Sequence, residues 1–360
     1  MAAQPRRSRH YDTRRVGAAC GLGAAVLFGA STPFSKLLLA QTDPLLLAGF
    51  LYLGAAVGLT LMSPLARFAA SLGNEARIRR ADAPALAAIT LIGGVAGPVL
   101  MLEGLTRVSA LAGSLLLNLE APFTMVIAVV LFREHLGLRA TLGGVCVVIG
   151  AALVGYGSGE IAGTLVGCIW INAACLCWAL DNNLSQQLSV RSPLTIARVK
   201  SVGAAVAMLS VAFSLGTPVP DATYVAAALM LGAFSYGLSL ALDMYALRLL
   251  GAAREAAYFA TAPFLGAALA LPIVGDRSSL AHLAIALLMA AGVALLLGER
   301  HSHQHAHQFL DHEHVHFHDE HHQHTHEVDS AEPHSHPHRH AQLSHSHPHV
   351  SDLHHRHRHV

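Results

Sequence analysis

Charge is scarce in this chain. Only 12% of its 360 residues are Asp, Glu, Lys or Arg, about half of the roughly 25% usual in a soluble domain. Lysine is nearly absent: Lys36 and Lys200 stand against 21 arginines. The formal net charge of +1 leaves no basic excess and so argues against a nucleic-acid partner. Cysteine is sparse too. Cys20, Cys146, Cys168, Cys175 and Cys177 all fall in apolar stretches and none forms a C-x-x-C pair, which excludes a disulfide framework and reads as small buried hydrophobes. No P-loop motif occurs, so ATP-driven transport by this chain alone is disfavoured, and no hydrolase motif points to an enzyme. No cleavable signal peptide is evident. The apolar run behind the arginines at the start, Val16 to Ala40, is too long for a signal core and long enough to span a bilayer.

What the chain does have is apolar length. It is 53% hydrophobic, and mean hydropathy is +0.48 with a polar tail included. Ten runs are long enough to cross a hydrocarbon core: 16–40, 44–62, 83–104, 110–132, 140–157, 163–188, 196–215, 222–247, 255–274 and 279–298. The breaks between them carry turn or charge signals such as Thr42-Asp43-Pro44 and Gly275-Asp276-Arg277. The runs do not alternate and are rich in Ala, Leu and Gly, which excludes a β-barrel pattern. The expected fold is an all-α polytopic membrane protein. With the N-terminus placed inside, seventeen basic residues, Lys200 among them, fall on the cytoplasmic side and three, Lys36, Arg107 and Arg277, on the other. Positive charge favours the inside, so both termini are expected in the cytoplasm. The expected location is the inner (plasma) membrane of a bacterium, crossed many times.

The two halves resemble each other. Leu119-Glu120-Ala121-Pro122-Phe123 matches Ala260-Thr261-Ala262-Pro263-Phe264, and Arg107 and Arg248 each lie 15 residues before the proline. Ile149-Gly150 matches Ala291-Gly292, and Leu27 to Thr32 resembles Cys177 to Asn182. Each half holds an odd number of spans, so the second copy must sit upside down, an arrangement found in secondary transporters with a midplane substrate site. Four regions follow: a basic cytoplasmic segment 1–15, a first repeat 16–157, a second repeat 163–298 and a tail 301–360.

On these motifs, with Phe28-Gly29-Ala30-Ser31-Thr32-Pro33-Phe34-Ser35-Lys36 and Phe132-Arg133-Glu134-His135-Leu136 beside them, the chain resembles the EamA-like, two-repeat branch of the drug/metabolite transporter superfamily. The resemblance covers roughly residues 16–298. It implies ten helices in two inverted five-helix repeats and transport of a small solute, without fixing the substrate. The second copy departs from the pattern: Thr261 stands where the acidic residue is expected, and Asp276 where the family often has glutamate.

Candidate binding groups are the polar residues inside spans, which are costly in lipid. Glu120, in the fourth span, is the candidate proton or cation coupling site, with Lys36 as its candidate partner; a structural carboxylate and a snorkelling lysine are the plainer readings. Asp181, Asn182 and Asn183, with Gln186 and Gln187 beyond them, form the most polar patch in any span and are read as lining a central cavity. Trp178 would supply an aromatic wall, and Asp243 is a weaker candidate. Pro33, Pro122 and Pro263 remove backbone hydrogen bonds and would kink their helices. Glu103 and Arg107 are spaced to form a helix-surface pair.

The tail holds 23 of the 26 histidines. They recur at alternate positions: His301, His303, His305 and His307; His312, His314, His316 and His318; His321, His322, His324 and His326; His334, His336, His338 and His340. With few large apolar residues the tail cannot bury a core and is expected to lack fixed structure. Neutral imidazoles bind Zn, Ni, Co or Cu; no cofactor is expected to be required. The expected partners are the bilayer and a small-molecule or metal-ion substrate, and a homodimer is compatible with the sequence. A divalent-metal transporter, and a membrane-anchored metal sensor or buffer that transports nothing, are the alternatives to a solute transporter.

Overall fold

The computed structural model describes residues 7–69, 78–132, 137–156, 161–185, 188, 191–250, 252–297, 301–306, 310–316, 334–340 and 344–349. Glu134, Gln186, Gln187, His307, His318, His321, His322, His324 and His326 lie outside the described residues.

Lipid offers no partners for backbone polar groups, so these apolar runs satisfy themselves as helices. The first two spans are α1 (Arg7–Leu38) and α2 (Pro44–Ala69). The third is α3 (Ala83–Ile89) and α4 (Gly97–Arg107), joined by a π turn at Thr90–Ala96. The fourth is α5 (Ala110–Leu116) and α6 (Glu120–Phe132), joined by a 3-10 turn at Leu117–Leu119. The fifth is α7 (Leu138–Tyr156).

The second repeat follows the same plan. It comprises α8 (Ile161–Ser185), α9 (Pro193–Ser214), α10 (Ala222–Leu231) and α11 (Ser239–Leu250), the last two joined by a π turn at Gly232–Leu238. Then come α12 (Ala252–Phe259) and α13 (Ala262–Val274), separated by a break, and α14 (Leu280–Leu297). Among the described residues nine helical stretches are long and apolar enough to cross a bilayer, and a tenth, Leu138–Val154, is apolar but shorter. That is the run the sequence also gives as shortest.

Packing is reciprocal between the halves. The second span packs on the seventh and the fifth on the tenth, each against its own counterpart. The first span packs on the eighth and ninth, just as the sixth packs on the third and fourth. This exchange is what an inverted repeat requires. Two helix irregularities are repeated as well: a π turn in the third and eighth spans, and a break ahead of the Ala-Pro pair in the fourth and ninth. The tightest crossings use glycine. A Cβ at Gly54 would fall on the Leu229 carbonyl, and one at Gly232 on that of Leu51, so the second and eighth spans meet backbone to backbone.

Four short stretches of the tail are described. β1 (His301–Ala306) pairs antiparallel with β4 (Ser344–His349), and β2 (Leu310–His316) with β3 (His334–His340). The reason lies in the pattern: histidine at every second position has the period of a strand. In register, His301, His303 and His305 stand opposite His349, His347 and His345, and His312, His314 and His316 opposite His338, His336 and His334.

Candidate functional site

Polar groups converge where the two repeats meet. A cavity of about 400 Å³ lies there, a volume suited to a small organic ligand. Its walls come from matching positions of the two repeats: Phe28 and Trp178 from the first and sixth spans, Asn118 and Phe259 from the two helix breaks. The breaks have a covalent cause. Pro122 and Pro263 carry no N–H and so cannot donate to the carbonyls of Asn118 and Phe259 four residues earlier. Both freed carbonyls belong to cavity-lining residues.

Glu120 opens α6 and lines the cavity. Its Oε1 accepts a hydrogen bond from Asn182 Nδ2 at 2.7 Å, across the repeat boundary. Phe28 packs on Phe259 at 5.2 Å between ring centroids and on Tyr236 at 5.9 Å. Tyr236 sits in the π turn of the eighth span and also meets Tyr52 at 5.8 Å. Among the described lining residues there is one carboxyl, set among amides and aromatic faces, and no Lys, Arg or His. It reaches Leu296 and Leu297, in the last turn of α14.

The opposite end of the bundle is closed. A Cβ at Gly29 would meet the backbone of Ala262 and Gly266, and one at Gly266 would meet the Gly29 carbonyl and the Ser114 side chain, so α1, α5 and α13 pack without space between them. Lys36 Nζ donates to the carbonyls of Leu105 at 2.5 Å and Val108 at 2.8 Å, at the C-terminus of α4. Asp276 Oδ2 accepts from Leu111 N–H at 2.8 Å, at the N-terminus of α5. A cation on free carbonyls and an anion on free amides both complement helix ends. The α4–α5 turn is therefore clasped from two sides, by the first span and by the turn after α13. Gly275 makes the second contact available. It ends α13 with a left-handed φ of 81°, which glycine adopts without strain, and turns the next residue, Asp276, toward α5.

The sequence candidates divide. Glu120, Asn182 and Trp178 line the cavity. Lys36 does not meet Glu120, as the candidate pairing has it, because it is held at the closed end by backbone carbonyls. Asn183 is buried and donates to the carbonyls of Ala179 at 2.8 Å and Thr124 at 3.2 Å, tying α8 to α6. Asp181 is buried and forms an ion pair with Lys200 of α9. Asp243 lies in α11, apart from the cavity lining. Pro33 sits within α1, which continues through it. The ion pairs among the described residues are Lys200–Asp181 and Arg191–Asp82, so Glu103 and Arg107 do not form the expected one. Sequence reasoning missed Phe259 and Lys200. The proline that follows the ninth-span break was a usable signal for the first. Nothing local marks the second.

Replacing Lys36 by methionine removes the donor from the α4 carbonyls without removing bulk. The closed end is expected to open more often. A Ser114→Cys probe, fully buried at that end, should then react several-fold faster with a membrane-impermeant maleimide than the same probe beside Lys36. Equal rates would mean that the clasp does not hold the end shut.

The model of the EamA-like transporter family matches residues 15–156 and again residues 165–298. A protein of Methanothermobacter thermautotrophicus described as an uncharacterized transporter is 30% identical over 303 residues, covering 79% of this chain and 87% of its own length. A crystal structure of a protein 17% identical to this chain superposes with a TM-score of 0.57, over 78% of this chain and 95% of that one; this likeness concerns the fold.

Proposed function

The chain belongs to the EamA-like transporter family, a multi-pass membrane transporter of a small solute, and from that premise we propose that it carries an organic solute bearing a positive charge, by alternating access coupled to ions. The single observation behind this reading is the cavity, where Glu120 stands among Phe28, Trp178 and Phe259 and no basic side chain occurs among the described lining residues. A carboxyl beside aromatic faces attracts an ammonium group through both charge and cation–π contact. A site for an organic anion would need a basic residue in the lining. In a bacterial inner membrane, with the positive side inward, the cavity faces the cytoplasm and the Lys36–Asp276 clasp closes the outer end.

A ligand screen on the full chain in nanodiscs tests this. Binding to the folded state raises the unfolding temperature. Primary and quaternary amines should raise it, and carboxylates of the same size should not. Stabilisation by carboxylates alone would overturn the charge assignment.

The histidine register favours a second role at the cytoplasmic mouth. The tail would hold Zn, Ni, Co or Cu as a buffer or sensor, since its histidines recur at short spacing and neutral imidazole binds these metals. A divalent metal as the cargo finds less support in the cavity, where neither imidazole nor thiol occurs among the described lining residues. Cells lacking the protein would receive the full chain, the chain ended after Arg300, or the Glu120→Gln form. The expected outcome is that metal content depends on the tail and not on Glu120. Dependence of one metal on both would make metal the cargo.

A further inference from the structure

Behind the cavity wall lies a second group of charges. Asp181 precedes the cavity residue Asn182 on α8 but turns the other way. Its Oδ2 pairs with Lys200 Nζ, and Ser185, one turn further along α8, is the other polar side chain at this carboxyl. The pair rests on the π turn of the third span. A Cβ at Gly93 would collide with the Asp181 carboxyl, and one at Gly94 would press on the Lys200 stem, so both glycines are needed to seat it. Gly93 also gives its carbonyl to Trp178 Nε1 at 3.0 Å and to Tyr52 OH at 3.4 Å.

Glu120 is the third member. It lies within electrostatic range of both Asp181 and Lys200, and Asn182 bonds it to the same turn of α8. Among the described residues, the other titratable groups facing this cluster are Tyr52, from α2, and Cys175, on α8. One ammonium thus serves two carboxyls. With both carboxyls ionised, the cluster carries a net negative charge inside a low-dielectric bundle. An uncompensated charge there is unfavourable. One added proton makes the cluster neutral.

We infer that Glu120, Asp181 and Lys200 together form a proton-binding site that holds one exchangeable proton, shared between the two carboxyls. The proton adds to a carboxylate oxygen and no other bond changes. Lys200 then pairs with whichever carboxyl remains ionised. A cationic solute at Glu120 replaces the proton as the neutralising charge, which makes solute and proton compete for one site. This last consequence rests on the cavity being the substrate site. The proton count itself does not, so the two fail separately.

The test counts protons. Infrared difference spectra of the full chain in nanodiscs are taken between acid and alkaline pH, and variant spectra are subtracted so that carboxyls outside the cluster cancel. The wild type should show one buried carboxylic C=O band. Asp181→Asn and Glu120→Gln should each lose it, because a single carboxyl is already neutralised by Lys200. Lys200→Met should show two bands, because neither carboxyl keeps its counter-charge. Retention of the band in Asp181→Asn with loss in Glu120→Gln would place the proton on Glu120 alone and overturn the sharing. Absence of a buried band in the wild type would overturn the site. Should Asp181→Asn not fold, an unchanged single band in Lys200→Met overturns the proposal as well.

Discussion

Glutamine at position 120 is expected to abolish uphill transport while leaving the fold intact. The change keeps shape and the Asn182 contact but removes the charge that Glu120 alone supplies among the described lining residues. A hydrogen bond to a charged group contributes roughly 1.5–3 kcal/mol, so affinity for an amine should fall by roughly tenfold to a hundredfold. Accumulation should fall further, since the coupling charge is lost with the binding one. Asn182→Ala is the milder companion: it leaves the charge and removes only the amide that orients it, so KM should rise with little change in maximal rate. Transport by the amine found in the ligand screen, assayed in proteoliposomes with and without a pH gradient, checks both. Normal accumulation by Glu120→Gln would end the role of this carboxyl.

Valine at Gly54 or Gly232 is expected to prevent assembly. Each added side chain would lie within the backbone of the facing helix, the second span against the eighth. A side chain inserted into a filled space commonly costs about 1–3 kcal/mol, and here neither neighbouring atom is a side chain that could rotate away. The loss should exceed that of the same change at Gly216, which has open space around it but a φ of 70° and so meets backbone strain alone. Size-exclusion profiles of fluorescent fusions would separate them: little monodisperse protein for Gly54→Val and Gly232→Val, a folded and less thermostable one for Gly216→Val. Equal yields from all three would mean that the second and eighth spans do not need to touch.

Much of the architecture was legible in the sequence because its causes are local. A span needs only apolar length, so all ten runs became helices, and the shortest run, 140–157, gave the apolar stretch that falls short of the other nine. The proline repeat located both helix breaks, because a missing N–H acts within one turn. Glu120 was recognisable as a candidate because a carboxyl in an apolar run has no local explanation. The π turns were not legible. Gly93-Gly94 is common in membrane helices, and its use here depends on what the sixth and seventh spans place against it. Lys200 was counted with the loop charges for a related reason: it lies near the start of a run, and only packing shows that it turns inward to Asp181.

Ten helices, their inversion and a polar centre between the halves were determined by composition and spacing alone, since each follows from hydrocarbon thickness, an odd span count and the cost of a charge in lipid. The partners of the charges were decided by the tertiary structure. Lys36 reaches helix-end carbonyls about seventy positions away and Asp276 reaches an amide 165 positions away. Spacing carries no information over such separations. A buried charge in this bundle takes its partner from whatever the packing of two inverted repeats places beside it.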